Sequence, residues 1–288
     1  MDGVLIKISY VVFHLVFGNL FNKGIRGCIP PSVTHLTFGN NFNIYIKNCI
    51  PSSVTHLTFG KSFNQRIEHN VPSKFYYVNY YPKINSFIPL NVTHLTFGDC
   101  FNKKINGCIP PTVTHLTFGK NFNQSIYKCI PSSVTNLTFG DCFNQKIHKA
   151  IPKNLIHLTF GDNFNQKINK CIPSTVTHLT FGKKFYKDIR NCIPLGVTHL
   201  TFGNFTSNIR DIPPNVTHLT FGNFFSQDVT YIPPNVTHLT FGNYFNGKIE
   251  NIPPSVTHLA FGDYFVQQNK NYIPPTVTHL TFGISQII

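Results

Sequence analysis

Acidic residues are scarce in this sequence: ten Asp and Glu stand against 24 Lys and Arg, and only 12% of the 288 residues are charged. No two carboxylates are placed as a working acid–base pair, which removes the commonest hydrolytic chemistry from consideration. Long apolar runs are missing as well, since no stretch approaches the ~18 residues that a membrane-spanning helix needs. The apolar N-terminal region that includes YVVFHLVFG could pass for a signal peptide, but Lys7 interrupts that region and no small-residue cleavage site follows. The eight cysteines include no CxxC pair of the kind that binds zinc. Nor is there a phosphate-cradling glycine loop, or a serine or cysteine nucleophile unique to one place. The expectation is a non-enzymatic protein without cofactor or metal, intracellular and cytoplasmic (host cytoplasm if viral), with no membrane partner. With charge so sparse, asparagine, threonine and serine must solvate much of the surface.

What the chain has in abundance is one octapeptide. SVTHLTFG at residues 32–39 returns, almost letter for letter, at 53–60, 112–119, 133–140 and 255–262. Repeats of this kind decide the architecture before any local signal does. Aligned on the closing glycine, the copies end at Gly18, Gly39, Gly60, Gly98, Gly119, Gly140, Gly161, Gly182, Gly203, Gly222, Gly242, Gly262 and Gly283. Between Gly60 and Gly98 the step is nearly doubled. That stretch keeps Val71-Pro72 and Ile88-Pro89 but loses the glycine motif, and it reads as a degenerate unit around 66–89. Thirteen glycine-ending copies and this one give about 14 units of 19–21 residues. They form a single array over 11–288 behind a short lead-in, residues 1–10.

Within one unit the apolar slots are Ile29, Val33, Leu36, Phe38, Phe42 and Ile46. Leu36 and Phe38 alternate with His35 and Thr37, the period of a strand with one buried face. Gly39 is expected to turn the chain, Phe42 and Ile46 to point back inward, and Pro30-Pro31 to stop any helix before the next strand. One unit cannot bury its own apolar stripe, whereas a stack of such units can. The fold class is therefore a β-rich solenoid with one parallel β-sheet, and nearly all of the 29 phenylalanines fall in two ladders through its core.

The pairs Phe42-Asn43 and Ile50-Pro51, Phe101-Asn102 and Ile109-Pro110, and Phe164-Asn165 and Ile172-Pro173 repeat the pattern FN…IP. In this the chain resembles the FNIP repeat family, leucine-rich-repeat-like proteins of social amoebae and giant DNA viruses of amoebae. The resemblance covers nearly the whole chain and implies a right-handed leucine-rich-repeat-like coil that serves as a protein-interaction scaffold. Family arrays often follow an F-box, which would recruit a cullin-type ubiquitin ligase. About ten residues precede the first unit, too few for an F-box. A substrate-recognition role in a ubiquitin ligase, with a ligase subunit as partner, is accordingly the second reading. Tyr186, Thr206, Ser226 and Val266 replace the family's asparagine, so asparagine stacking is expected to be imperfect in those units.

Twelve of the 14 histidines share one slot: His14, His35, His56, His94, His115, His157, His178, His199, His218, His238, His258 and His279, with Asn136 filling it once. Alternation puts them beside a threonine row on the outer face of the sheet, the usual binding surface of a solenoid. A straight ladder offers two neighbours at any point, not the three or four ligands of a metal site. Stacked imidazoles should also resist sharing positive charge, which lowers their pKa values. Function must lie in what differs between units, chiefly the residue pairs after the glycine, such as Lys183-Lys184 and Asn243-Tyr244. A tyrosine-rich patch, Tyr76, Tyr77, Tyr80 and Tyr81, breaks the uniform surface, and tyrosine is favoured at interaction hot spots. The net charge of +14 suits an acidic protein partner or, as a third reading, an acidic ligand or nucleic acid. Lysines between 103 and 190 are the best candidate patch. Six cysteines precede Ile-Pro in a slot that Ala150 also fills, as expected of small, packed thiols that neighbouring units bring near disulfide range. The terminal stretch TFGISQII has no polar cap, which marks it for self-association.

Overall fold

The computed structural model describes residues 11–67, 87–204, 208–266 and 273–283. The chain divides into two compact units, residues 1–140 and 141–288. The first holds six short strands: β1 (His14–Val16), β2 (His35–Thr37), β3 (His56–Thr58), β4 (His94–Thr96), β5 (His115–Thr117) and β6 (Asn136–Thr138). Each strand pairs parallel and in register with the next, so that histidine lies over histidine and leucine over leucine. The second unit holds β7 (His157–Thr159), β8 (His178–Phe181), β9 (His199–Phe202), β10 (His218–Phe221), β11 (His238–Thr240), β12 (His258–Ala260) and β13 (His279–Thr281). Its strands follow the same parallel rule. One 3-10 turn, Ile209–Asp211, is capped by the Asn208 side chain.

The strands are short because proline and glycine bound them. Val33 N–H closes a turn onto the Pro30 carbonyl at 3.1 Å, and Phe42 N–H closes another onto Gly39 at 3.2 Å. Between these turns the rung-to-rung bonds run, for example, from Thr55 and His56 N–H to the Thr34 carbonyl, at 2.8 and 3.0 Å. The expected alternation holds: in β2 the central Leu36 is 1% exposed while His35 and Thr37 are half-buried. No polar or charged residue is buried among those described.

The core is the expected pair of phenylalanine ladders. Within a rung Phe38 stacks on Phe42 at 4.0 Å, and along the array Phe38 meets Phe59 at 5.6 Å and Phe42 meets Phe63 at 6.2 Å. The second unit repeats this, with Phe181 to Phe185 at 4.0 Å and Phe164 to Phe185 at 6.1 Å. Offset stacks at these separations add to the area the rings bury.

Three expectations need adjustment. The described residues form thirteen strands rather than about fourteen, because β3 pairs directly with β4 across the long step. Residues 68–86, most of the degenerate unit, lie outside the described residues. Second, the recurring glycine is required by close approach more than by turning. A Cβ on Gly39 would collide with the Gly18 carbonyl, and one on Gly119 with that of Gly98. Third, the family asparagine does more than stack. Its Oδ1 accepts the backbone N–H of the same slot one rung later, as in Asn43 N–H to Asn22 (2.9 Å), Asn64 to Asn43 (2.9 Å) and Asn123 to Asn102 (3.0 Å). Tyr186 and Val266 still donate their N–H groups to Asn165 and Asn246, at 3.0 and 3.2 Å, but have no side-chain carbonyl to offer the next rung. Substitution thus breaks the relay on one side only.

Candidate interaction face

The histidine slot forms stacked imidazole columns. In the first unit the rings of His14, His35, His56, His94 and His115 follow one another at 4.1 Å, nearly parallel. In the second, His178 to His199 and His199 to His218 are 4.0 Å apart, while His157 and His178 are tilted by 35° at 4.3 Å. The column continues through His238, His258 and His279. Eight of the expected face residues, His35, His56, His94, His115, His157, His178, His199 and His218, therefore do line these columns.

Each ring is oriented by the residue before it. Thr34 Oγ1 lies 2.9 Å from His35 Nδ1, and the same contact recurs at Thr93–His94, Thr198–His199 and Thr257–His258. The threonine hydroxyl also lies within reach of the previous rung's carbonyl, 3.3 Å for Thr55 to Thr34 and 3.2 Å for Thr217 to Thr198. Where Asn136 takes the slot, its Oδ1, which only accepts, sits 2.9 Å from Thr135 Oγ1. The threonine is the donor there, and the same arrangement suits a neutral imidazole that keeps its proton on Nε2. Protonating Nδ1 would oblige the threonine to turn its hydrogen to the longer carbonyl contact.

Burial lowers the pKa values of His35 and His94, and the neighbouring imidazoles lower them further. The same two causes, in the same order, act on His178, His199, His218 and His258. Charge sharing between neighbours therefore operates as expected, but desolvation comes before it. Among the described residues no group of three or more His, Cys, Asp or Glu is placed to hold a metal ion, and no helix is long and apolar enough to cross a membrane.

The other expected contact residues lie elsewhere. Lys183 and Lys184 follow the glycine, off the histidine face. Lys183 Nζ is tied to Asp162 Oδ2 at 2.7 Å, and the Lys184 N–H donates to the Asp162 carbonyl at 2.8 Å. Tyr76, Tyr77, Tyr80 and Tyr81 fall outside the described residues, as does the terminal stretch 284–288. In the cysteine slot before Ile-Pro, Cys108 and Cys129 are buried and Cys28, Cys49, Cys171 and Cys192 are half-buried; these six, with Cys100 and Cys142 elsewhere in the repeat, are unbridged. In this slot Cys49 and Cys171 have their pKa values raised, by burial first.

One feature was not anticipated. Phe224, Tyr244 and Tyr264, two residues after successive glycines, form an exposed stack with ring separations of 5.3 and 5.0 Å. Each is about half exposed or more. The signal was available in the repeat alignment, where three consecutive copies put an aromatic residue in a slot that is Asn41, Ser62, Cys100, Asn121, Cys142, Asn163 and Lys184 in the seven copies from Gly39 to Gly182.

The model of the FNIP Repeat matches in eleven overlapping segments, from 12–41 and 21–47 through 41–73, 82–121 and 101–142 to 245–285. The chain belongs to the FNIP repeat family. Most matched segments, such as 101–142 and 122–161, span about two rungs and begin about one rung after the one before. Among solved structures the chain is similar to that described as "CroV588 a novel circular LRR protein structure", with 41% identity and a TM-score of 0.76. The match covers 94% of this chain and 43% of that one, so the FNIP array described here spans less than half of that protein's length. YopM, a leucine-rich effector protein from Yersinia pestis, also aligns, at 14% identity and a TM-score of 0.44, over 88% of this chain and 84% of that one. No curated protein matches.

Proposed function

We propose that this FNIP array is a non-enzymatic scaffold that binds a protein partner through the histidine–threonine face and the loops that follow the glycines. The observation that carries the reading is the pairing of a uniform, half-buried imidazole face with loops that differ from rung to rung, among them the exposed stack of Phe224, Tyr244 and Tyr264. Solenoids of this type bind along such surfaces, and aromatic residues are enriched at interface hot spots. The site of action is cytoplasmic on this reading. A histidine in every described rung but that of Asn136 gives a partner shape and hydrogen-bonding capacity without address, and the loops supply the address.

The test is affinity capture from amoebal lysate at moderate salt, with bound proteins quantified for three baits. These are the wild type, a face variant (His199→Glu, His218→Glu) and a loop variant (Phe224→Ser, Tyr244→Ser). The expected result is a discrete protein retained by the wild type and depleted at least tenfold by one variant or both. Identical captures by all three baits, or captures that moderate salt abolishes, would overturn the reading.

A further inference from the structure

The second compact unit carries a concave, strongly basic groove remote from both features just described. It has a volume of about 830 Å³, and its walls include Lys146, Lys167, Lys170, Lys187 and His148. No carboxylate lines it. The nearest acid in sequence, Asp188, is already engaged: its Oδ1 accepts the Arg190 N–H at 2.9 Å, and the Arg190 guanidinium lies 4.0 Å from Oδ2. These lysines come from several repeat slots, so the groove is built by the coil and not by one column of identical residues.

A second observation concerns the backbone. The slot before each Cys-Ile-Pro (Ala-Ile-Pro once) lies in the left-handed region, with φ of +68° at Gly27, +65° at Gly107 and +54° at Asn48 and Asn191. Glycine and asparagine suit that conformation, and lysine does not. Yet lysine fills the slot in three successive rungs, at Lys128 (φ +56°), Lys149 (φ +55°) and Lys170 (φ +53°); Lys170 lines the groove, and Lys149 directly follows His148 of its wall. In this slot a strained cation stands where Asn48 and Asn191 show the relaxed solution, and at Lys170 it adds its charge to the groove wall.

We propose that this groove binds an acidic peptide segment of the partner protein. The inference rests on the scaffold reading above and deepens it. Carboxylates on flexible side chains can adapt to several lysines at once, and electrostatic complementarity of this kind fixes register and speeds encounter. Asn165 Oδ1 already accepts the Tyr186 N–H and Gln166 Nε2 donates to Asn144, which leaves Asn165 Nδ2, Gln166 Oε1 and the Asn169 amide in the wall to meet a peptide main chain. No Phe, Tyr or Trp lines the groove, and the lone imidazole of His148 is not the run of rings on which successive bases of single-stranded nucleic acid stack.

The experiment measures fluorescence anisotropy of a labelled eight-residue oligoglutamate at about 0.1 M salt. The proteins are the wild type, Lys167→Glu/Lys170→Glu in the groove, and Lys61→Glu/Lys120→Glu outside it. The two variants carry the same net charge. The groove variant should lose at least tenfold in affinity, and the control less than threefold. A neutral variant, Lys167→Gln/Lys170→Asn, guards against misfolding: it should melt no lower than the wild type, since asparagine suits the slot, and still lose affinity. Equal losses in groove and control variants would overturn the proposal. So would no measurable binding, or an eight-nucleotide oligouridylate that binds more tightly through the same lysines. If lysate capture still yields a partner that the groove variants retain in full, the scaffold reading stands and the groove proposal falls.

Discussion

Gly119→Ala tests how tightly the rungs are indexed. A methyl group there would coincide with the Gly98 carbonyl and come within 2.6 Å of Asp99 N. Moving that nitrogen alone back to ordinary contact, 3.4 Å or more, takes about 0.8 Å, and the closer Gly98 carbonyl takes more, so the two rungs separate locally by at least that amount. The same gap is crossed by Asn121 N–H to the Asp99 carbonyl at 2.8 Å and by Asn123 N–H to Asn102 Oδ1 at 3.0 Å. Stretched by that amount, both leave hydrogen-bonding range. Two lost bonds at roughly 0.5–1.5 kcal/mol each, with about 1–3 kcal/mol of strain typical of an overfilled core, give a cost of about 2–6 kcal/mol. For a chain of this size that is a fall of ~4–12 °C in melting temperature. Gly18 is the matched control, since it occupies the same repeat slot and a Cβ there meets nothing within 4 Å. Gly18→Ala should therefore melt within about 1 °C of the wild type. The assay is thermal unfolding by far-ultraviolet circular dichroism on both variants. Equal melting of the two would refute the close-approach argument and return the glycine to a mere turn preference.

Further expectations follow from the other columns. The lowered pKa values of His35, His94, His178, His199, His218 and His258 mean that the unfolded chain binds more protons near its ordinary histidine pKa of ~6.5. Stability is then complete above that pH and declines as pH falls below it, so the melting temperature should drop between pH 7.5 and 5; replacing His178, His199 and His218 by asparagine should flatten the curve, and an unchanged wild-type melting temperature would contradict the argument. Phe122→Ala, in the middle of a ladder where the ring is fully buried, should cost about 3–5 kcal/mol in urea denaturation. Asn102→Ala removes the acceptor for Asn123 N–H and for Gln124 Nε2 and should cost about 1–2 kcal/mol, whereas Tyr186→Ala should stay within about 0.5 kcal/mol because that slot donates only through its backbone. Lys128→Asn, at φ +56°, should raise stability by about 0.5–1 kcal/mol in the same assay.

The rungs were legible in the sequence because two periods coincide in it. Alternation by two placed Leu36 and Phe38 inside and His35 and Thr37 outside, and the 21-residue step placed each above its counterpart. The unit count was less legible. Val71-Pro72 and Ile88-Pro89 imitate the spacing of a unit, yet strand pairing is decided by which edges meet, and β3 meets β4 directly. Backbone conformation was invisible at Lys149 and Lys170, because a lysine in the left-handed region looks like any other lysine in a string of letters. The basic groove was legible only as the lysine-rich stretch 103–190, which contains all four of its lysines, for a related reason. Lys146, Lys170 and Lys187 belong to different slots, and alignment by slot separates residues that the coil brings to one concavity. Lys183 stood out as part of a doublet, yet its charge is answered by Asp162 one rung earlier.

The glycine column has a consequence for how such genes change length. A rung displaced by one or two residues sets a side chain against a neighbouring carbonyl, so fractional errors are penalised at every step. A rung gained or lost whole brings glycine back opposite glycine, phenylalanine opposite phenylalanine and an asparagine carbonyl opposite the amide it serves. Unequal recombination between near-identical copies produces changes of that size. Copy number can therefore drift freely while frame cannot, and the intervening stretch between β3 and β4 shows that extra chain can be carried between rungs that still meet in register. Lineages of this family should differ by integral numbers of rungs, with the loops and their charges as the only record of which rung is which.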